Sequence, residues 1–332
     1  MVAGVDFGDA EFATAVRSRV ARIEQLMETE LRGSDDLMTD AVLHLFEAGG
    51  KRFRPLFAVL SAQLGPNPDS NDVTIAGAVI ELVHLATLYH DDVMDEAQVR
   101  RGAPSANLRW SNNVAILAGD YLFATASRLV SRLGPDAVRI IADTFAQLVT
   151  GQMRETQGAA GQADPIAHYL KVVHEKTACL IGAAGRFGAM FSGAPESVVD
   201  VVADVCMRFG VAWQLSDDVL DIASTSAESG KEQGTDLRQG VRTLPVLYAL
   251  RGTSADADAV RLRELLLDGD LTDPALHAEA LDLLRASPAL REARETVRSW
   301  IGEAASLLAQ LPDVPARAAF ESLCDFVITR TG

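Results

Sequence analysis

The sequence predicts an all-α protein of roughly a dozen helices, and three observations carry that prediction. Apolar residues recur at helical spacing almost throughout: Phe12, Val16, Val20, Ile23, Met27 and Leu31 step by 4, 4, 3, 4 and 4. A second run, Val198, Val202, Val205, Phe209, Ala212, Leu215 and Val219, steps by 4, 3, 4, 3, 3 and 4. Strand-like alternation is missing, and the breaks fall where Gly, Pro, Ser and Asp cluster: Gly49-Gly50, 65–70, 158–165, 224–240, and Pro312 with Pro315.

Taken in order, Ser34 with Asp35 and Asp36 reads as a helix start, because a side-chain oxygen caps open N–H groups and early carboxylates complement the dipole. Pro55, just after Gly49-Gly50, suits the first turn of the next helix. No fixed-period repeat, heptad array or composition shift marks a linker, so the expectation is a single domain over 1–332 around a central cavity. Apolar residues make up 48% and charged residues 23%, as in a globular protein with a large core. A net charge of −16 excludes sequence-independent nucleic-acid binding, which needs a basic face. Any phosphate-bearing ligand must be held locally, by a few cations or by metal ions.

Cys179, Cys206 and Cys324 are scattered without ligand-like spacing, which fits reduced thiols in a cytoplasmic protein. The N-terminal MVAGVDFGDAEF carries acid where a leader would carry positive charge, and no run of about 18 uncharged apolar residues appears. The expectation is at most peripheral membrane association.

The strongest signal is a pair of near-identical acidic clusters, Asp91-Asp92-Val93-Met94-Asp95 and Asp217-Asp218-Val219-Leu220-Asp221. Each ends an apolar helix, so its i and i+4 carboxylates share a face. Two like charges about 4 Å apart repel by about 4 kcal/mol at an effective dielectric of roughly 20, so such sets imply bound cations. Carboxylates with room for water and phosphate oxygens suit Mg²⁺. One such cluster reads equally well as a solvated helix end. Two copies, 126 residues apart, each after a long apolar stretch, do not. A calcium-binding EF-hand is excluded, since neither cluster has the mid-loop Gly and distal Glu. Basic residues gather near the clusters: Lys51, Arg52 and Arg54 beside Gly50, then Arg100-Arg101, Lys176 before Thr177, and Lys231.

These elements resemble the trans-prenyl diphosphate synthases. GKRFRP at 50–55, HDDVMDEAQVRRG at 90–102, KT at 176–177, QLSDDVLD at 214–221 and GKEQGTD at 230–236 occur in that family's order, between about residues 35 and 250. The resemblance implies the isoprenoid synthase fold and a Mg²⁺-dependent enzyme that adds isopentenyl diphosphate to an allylic diphosphate, with about three ions per site. It implies Asp91, Asp95, Asp217 and Asp221 as metal ligands, with Asp92 and Asp218 supporting them. Lys51, Arg54, His84 and Arg101 would bind isopentenyl diphosphate, and Arg100, Lys176, Thr177, Gln214 and Lys231 the allylic diphosphate. His84 lies seven residues before Asp91, two turns away on one face. On spacing alone it reads as a core histidine. Family members usually pair as homodimers.

The chemistry follows from charge: metal and cations stabilise the leaving diphosphate, the allylic C–O bond ionises, the double bond of isopentenyl diphosphate attacks the cation, and, as the resemblance implies, the released diphosphate removes the final proton. No GxSxG or HExxH motif competes with this reading. One departure is Val241 where the family often has Lys, and Arg242 points about 100° away from that position. A terpene cyclase would need no second diphosphate pocket, and a non-catalytic partner subunit would be expected to have lost aspartates. Four and five residues before Asp91 stand Thr87 and Ala86, read as the floor of the product tunnel. Both are small where short-chain synthases carry a bulky aromatic, so a long product, of quinone side-chain length, is expected.

Overall fold

A computed structural model of the chain describes residues 7, 9–33, 38–159, 164–224 and 233–331. It is helical almost throughout, as the periodicity predicts. In order run α1 (Ala10–Arg32), α2 (Thr39–Glu47), α3 (Phe53–Ala62), α4 (Asn71–Met94), α5 (Ala106–Arg109), α6 (Asn112–Ser131), α7 (Pro135–Gln157), α8 (Pro165–Val172), a π-helical turn (Val173–Ala178), α9 (Cys179–Phe191) and α10 (Glu196–Ala223). There follow α11 (Thr235–Arg238), α12 (Leu244–Arg251), α13 (Ala257–Asp268), α14 (Pro274–Ala286), α15 (Pro288–Leu308) and α16 (Pro315–Thr331). Among the described residues the one departure is a two-stranded antiparallel hairpin, β1 (Val99–Arg100) with β2 (Ala103–Pro104). Strands two residues long leave no alternation to read.

The described residues fall into two compact units. One draws on Met1–Ala146, Leu180–Cys206 and Leu307–Ser322, the other on Gln147–Cys179, Met207–Ser306 and Leu323–Gly332. In the first, α4 packs against α1, α3 and α6. Its residues Val73, Val79, Ile80, Leu82, Val83 and Leu85 are all buried, so most of its circumference is taken up in packing, as in a central helix. α4 and α6 are each long and apolar enough to cross a bilayer by length and composition alone, but α4 spends that character on packing inside its unit.

Local chemistry sets the helix ends. The Asp9 carboxylate accepts from the N–H groups of Glu11 and Phe12 at 2.9 and 3.0 Å and starts α1. Ile23, Met27 and Leu31 of the anticipated stripe are fully buried. Pro55 sits in the first turn of α3, as anticipated. The helix start read at Ser34 lies outside the described residues. In the second unit α12 packs on α8, α13 and α14, and Trp213 stacks between Phe209 and Phe326 at 5.9 and 6.4 Å.

Phe57 is fully buried against Phe320, with ring centroids 5.7 Å apart. Phe57→Ala is expected to cost about 3–5 kcal/mol through lost burial and an unfilled cavity, read as a lower denaturant midpoint at an unchanged slope.

Candidate active site

The first acidic cluster terminates α4: the helix ends at Met94 and Asp95 is its C-cap. This is the negative end of the helix dipole, where carboxylates are disfavoured. Residues His84, Thr87, Leu88 and Asp91, at i, i+3, i+4 and i+7, form a partly exposed stripe along the second half of α4. Asp95 is exposed. Asp92 is fully buried: its Oδ1 accepts from Arg100 Nε at 2.6 Å, while Oδ2 is buried with no hydrogen-bond partner. Burial pushes the Asp92 carboxyl above the usual carboxylate range, against the pull of Arg100.

The cations that follow are aimed by backbone geometry. Arg101 and Gly102, between β1 and β2, have φ of 54° and 76°, the signature of a type I′ turn, which Gly102 makes accessible. Arg100 therefore points back to Asp92, while the Arg101 guanidinium donates to the carbonyls of Leu45, at 2.9 Å, and Gly49. Gly50 has φ of 144°, and a Cβ there would lie 3.0 Å from the Arg101 guanidinium carbon. Glycine at 50 is what lets that planar group lie against the chain.

Lys51 is exposed and Arg54 partly exposed, but Arg52 between them turns inward. It holds a left-handed conformation with φ of 50°, donates to Glu24 at 2.7 Å and Glu81 at 3.2 Å, and reaches the Phe46 carbonyl at 2.9 Å. The reading of 50–55 as three convergent cations is corrected here: Arg52 is a core residue that neutralises buried Glu81. Burial, reinforced by the charges of Arg54, Arg101, Arg100 and Arg52, holds the His84 imidazole well below its usual range, hence neutral.

The two tunnel-floor residues lie on different sides of α4. Thr87 belongs to the stripe of Asp91, its hydroxyl donating to the His84 carbonyl at 2.8 Å. Ala86 is fully buried beside α6, where a Cβ on Gly119 would lie 3.2 Å from the Ala86 carbonyl oxygen. Tyr89 points away from the acidic stripe, its hydroxyl accepting from Leu45 N–H at 3.1 Å and donating to the Ala41 carbonyl.

The second cluster, on the last turns of α10, is built differently. Asp218 is buried; its Oδ2 accepts from the Tyr169 hydroxyl and its Oδ1 from Gln214 Nε2 at 3.2 Å. Burial pushes its pKa up to about 7, against those two hydrogen bonds and with the help of Asp236 and Asp217. Asp221 accepts the backbone N–H groups of Thr235 and Asp236 at 3.1 and 3.2 Å and so anchors the start of α11. Asp217 is half exposed and paired with Arg330 at 2.8 Å.

Lys176 and Thr177 sit in the π-helical turn, a geometry frequent at functional sites. Thr177 donates to Gln214 at 3.4 Å, and Lys176 pairs with Glu155. Gly151 on α7 lets the turn come close, since a Cβ there would sit 2.6 Å from the Lys176 nitrogen. Lys231 lies outside the described residues. Val241 is 45% exposed, and Arg242 beside it is exposed too.

The donor set fits Mg²⁺ bound with its substrate's help. Among the described residues no three His, Cys, Asp or Glu side chains form a cage of their own. Each cluster offers hard carboxylate oxygens, and Asp92 Oδ2 is a buried acceptor with no hydrogen-bond partner. Mg²⁺ characteristically takes one or two carboxylates and completes its shell with water and phosphate. Tyr169, Glu155 and Arg330 were not found from sequence. None belongs to a motif, and each reaches its partner only through folding.

The polyprenyl synthetase family model matches residues 35–284. The chain belongs to this family. It is 63% identical over 332 residues to the nonaprenyl diphosphate synthase of Mycobacterium tuberculosis, covering all of this chain and 98% of that one. It is 49% identical over 329 residues to a dimethylallyltranstransferase of the same organism, covering 99% of each chain. Among solved structures, geranylgeranyl pyrophosphate synthase from Corynebacterium glutamicum, complexed with calcium and isoprenyl diphosphate, superposes with a TM-score of 0.89 at 45% identity, covering 99% of this chain and 100% of that one. The all-α isoprenoid synthase fold and the prenyltransferase class expected of a polyprenyl synthetase are thereby established.

The raised pKa of Asp218 makes a pH prediction. Its folded form binds a proton more tightly than the unfolded form, so the stability it contributes is fully present below about pH 4 and is lost as pH rises through about 7. In metal-free buffer the unfolding midpoint should fall between pH 5 and 8, and Asp218→Asn should flatten that fall.

Proposed function

We propose that the chain is a long-chain trans-polyprenyl diphosphate synthase, adding isopentenyl diphosphate head-to-tail to an allylic diphosphate. The observation that carries the reading is the pair of Asp-Asp-x-x-Asp clusters, each on the C-terminal turns of a long apolar helix. The 63% identity with a nonaprenyl diphosphate synthase, against 49% with a dimethylallyltranstransferase, supports the long product.

In this reading Asp91, Asp95, Asp217 and Asp221 are the Mg²⁺ ligands, backed by Asp92 and Asp218, and about three ions act with substrate bound. The ions would supply Lewis-acid charge that weakens the allylic C–O bond. Lys51, Arg54 and Arg101 bind the diphosphate of isopentenyl diphosphate. Neutral His84 adds one donor without adding charge to a crowd of guanidiniums. Arg100, Lys176, Thr177, Gln214 and Lys231 bind the allylic diphosphate, with Lys176 taking general charge stabilisation of the leaving group. These groups hold the two substrates so that the double bond meets the allylic carbon as its bond to oxygen breaks. The whole of 1–332 serves as one catalytic domain, in a cytoplasmic homodimer. The three cysteines, all buried thiols, are consistent with a reducing compartment.

Chain length is set by Thr87 and Ala86. Thr87 is partly exposed on the stripe of Asp91, whereas Ala86 is fully buried beside α6. Small residues let the growing tail pass, at about one isoprene unit per 5.4 Å turn.

Incubated with Mg²⁺, isopentenyl diphosphate and farnesyl diphosphate, the protein should yield products of about seven or more isoprene units by mass spectrometry, and Thr87→Phe should shorten them. Three or four units from the wild type would keep the enzyme class and overturn the tunnel reading. Asp91→Ala should lower turnover by at least about 100-fold at an unchanged thermal midpoint. Near-normal turnover would remove Asp91 from the metal site.

A further inference from the structure

The last helix carries a cation that no motif announces. Arg330, one residue before the end of α16, is only 12% exposed, and one of its terminal nitrogens faces three oxygens of α10. It donates to Asp217 Oδ1 at 2.8 Å, to the Trp213 carbonyl at 3.0 Å and to the Ser216 hydroxyl. Its guanidinium carbon lies 3.6 Å from the centroid of the Trp213 ring, one helical turn before Asp217, and that ring is in turn stacked on Phe209 and Phe326. A guanidinium held by a ring face on one side and by a carbonyl and a hydroxyl at its edge has little rotational freedom left. Burial lowers its pKa and Asp217 raises it; the group stays charged.

We propose that Arg330 is a positioning residue for the second metal site: it fixes the Asp217 carboxylate through Oδ1 so that Oδ2 is the oxygen presented to the cation. The inference rests on Asp217 being a metal ligand, as proposed above. Ligating carboxylates are held by outer hydrogen bonds, and loss of such a partner typically weakens metal affinity by about 10–100-fold. A merely structural clamp would lower thermal stability without touching affinity. The competing electrostatic effect has the opposite sign, since a fixed cation beside a metal repels it. The orientation effect is taken to win because the guanidinium is locked by Trp213 and Ser216 whether or not a metal arrives, so removing it frees the carboxylate to rotate.

The test uses the full chain with Mn²⁺ as an EPR-visible probe in the presence of inorganic diphosphate, comparing wild type, Asp217→Ala, Arg330→Met and Arg330→Lys. Asp217→Ala defines the class of bound Mn²⁺ that depends on this carboxylate. Arg330→Met should weaken that same class about 10-fold or more and raise the Mg²⁺ concentration for half-maximal turnover by a similar factor, with a smaller change at saturating Mg²⁺. Arg330→Lys, which keeps the charge but loses the planar fork, should fall between. Wild-type affinity in Arg330→Met beside weakened binding in Asp217→Ala would overturn the inference and leave the metal assignment standing. Wild-type binding in Asp217→Ala would overturn both. If Arg330→Met does not fold, Arg330→Lys decides alone, and unchanged affinity there overturns the inference.

Discussion

Carboxylates gathered on the C-terminal turns of α-helices define the problem this fold has to solve. The carbonyl end of a helix carries roughly half a negative charge, and each acidic side chain placed there is disfavoured by about 0.3–1 kcal/mol before the acids repel one another. The structure offsets this differently in the two clusters. At the first, Asp92 is buried on a guanidinium, and Arg54 and Arg101 lie close enough to bear on His84. At the second, Asp218 is kept partly protonated and bonded by Tyr169 and Gln214, Asp221 is spent on backbone N–H groups, and Asp217 is paired with Arg330. Neither arrangement neutralises a whole cluster. What is left over is a standing preference for added positive charge, which is what divalent cations supply.

Positioning those cations takes backbone conformations that non-glycine residues rarely adopt. Arg52 and Arg101 both have positive φ, at a cost of about 1–2 kcal/mol each. The cost is met locally: Arg52 by its pairs with Glu24 and Glu81, Arg101 by the carbonyls at the end of α2. Adjacent arginines therefore end in opposite environments. Arg100 and Arg101 diverge because a two-residue turn falls between β1 and β2, and Lys51 and Arg52 diverge because one is exposed and the other is core. Charge placed this way is fixed by the fold itself, the kind of preorganisation on which electrostatic catalysis draws.

Much of this was legible in the sequence, and the pattern of what was not is physical. Helical periodicity predicts the fold because burial of one face repeats with the backbone's own period, as Ile23, Met27 and Leu31 show. The aspartate clusters are legible because chemistry repeats them in adjacent positions. Partners supplied by distant elements are not: Tyr169 meets Asp218 across 49 residues, and Arg330 lies beyond the last motif. The direction of a side chain is also hidden. GKRFRP reads as a basic loop, and only packing against Glu81 shows that its middle arginine belongs to the core. Thr87 and Ala86 are neighbours in sequence, and the 100° between successive helical residues puts one on the acidic stripe and the other against α6.

The π turn at Val173–Ala178 carries a lesson about chain length in the literal sense. A π turn is an α-helix with one surplus residue, and the lack of a side chain at Gly151 leaves room for this one to pack closely. Deleting any single residue within it would let the segment relax into a regular helix with better hydrogen-bond geometry. It would leave α8 and α9 in their angular register and remove the widened turn that carries Lys176 and Thr177, disturbing the contact of Thr177 with Gln214. A one-residue gap aligned to this stretch in another chain is accordingly the loss of the widened turn, not a shortened loop.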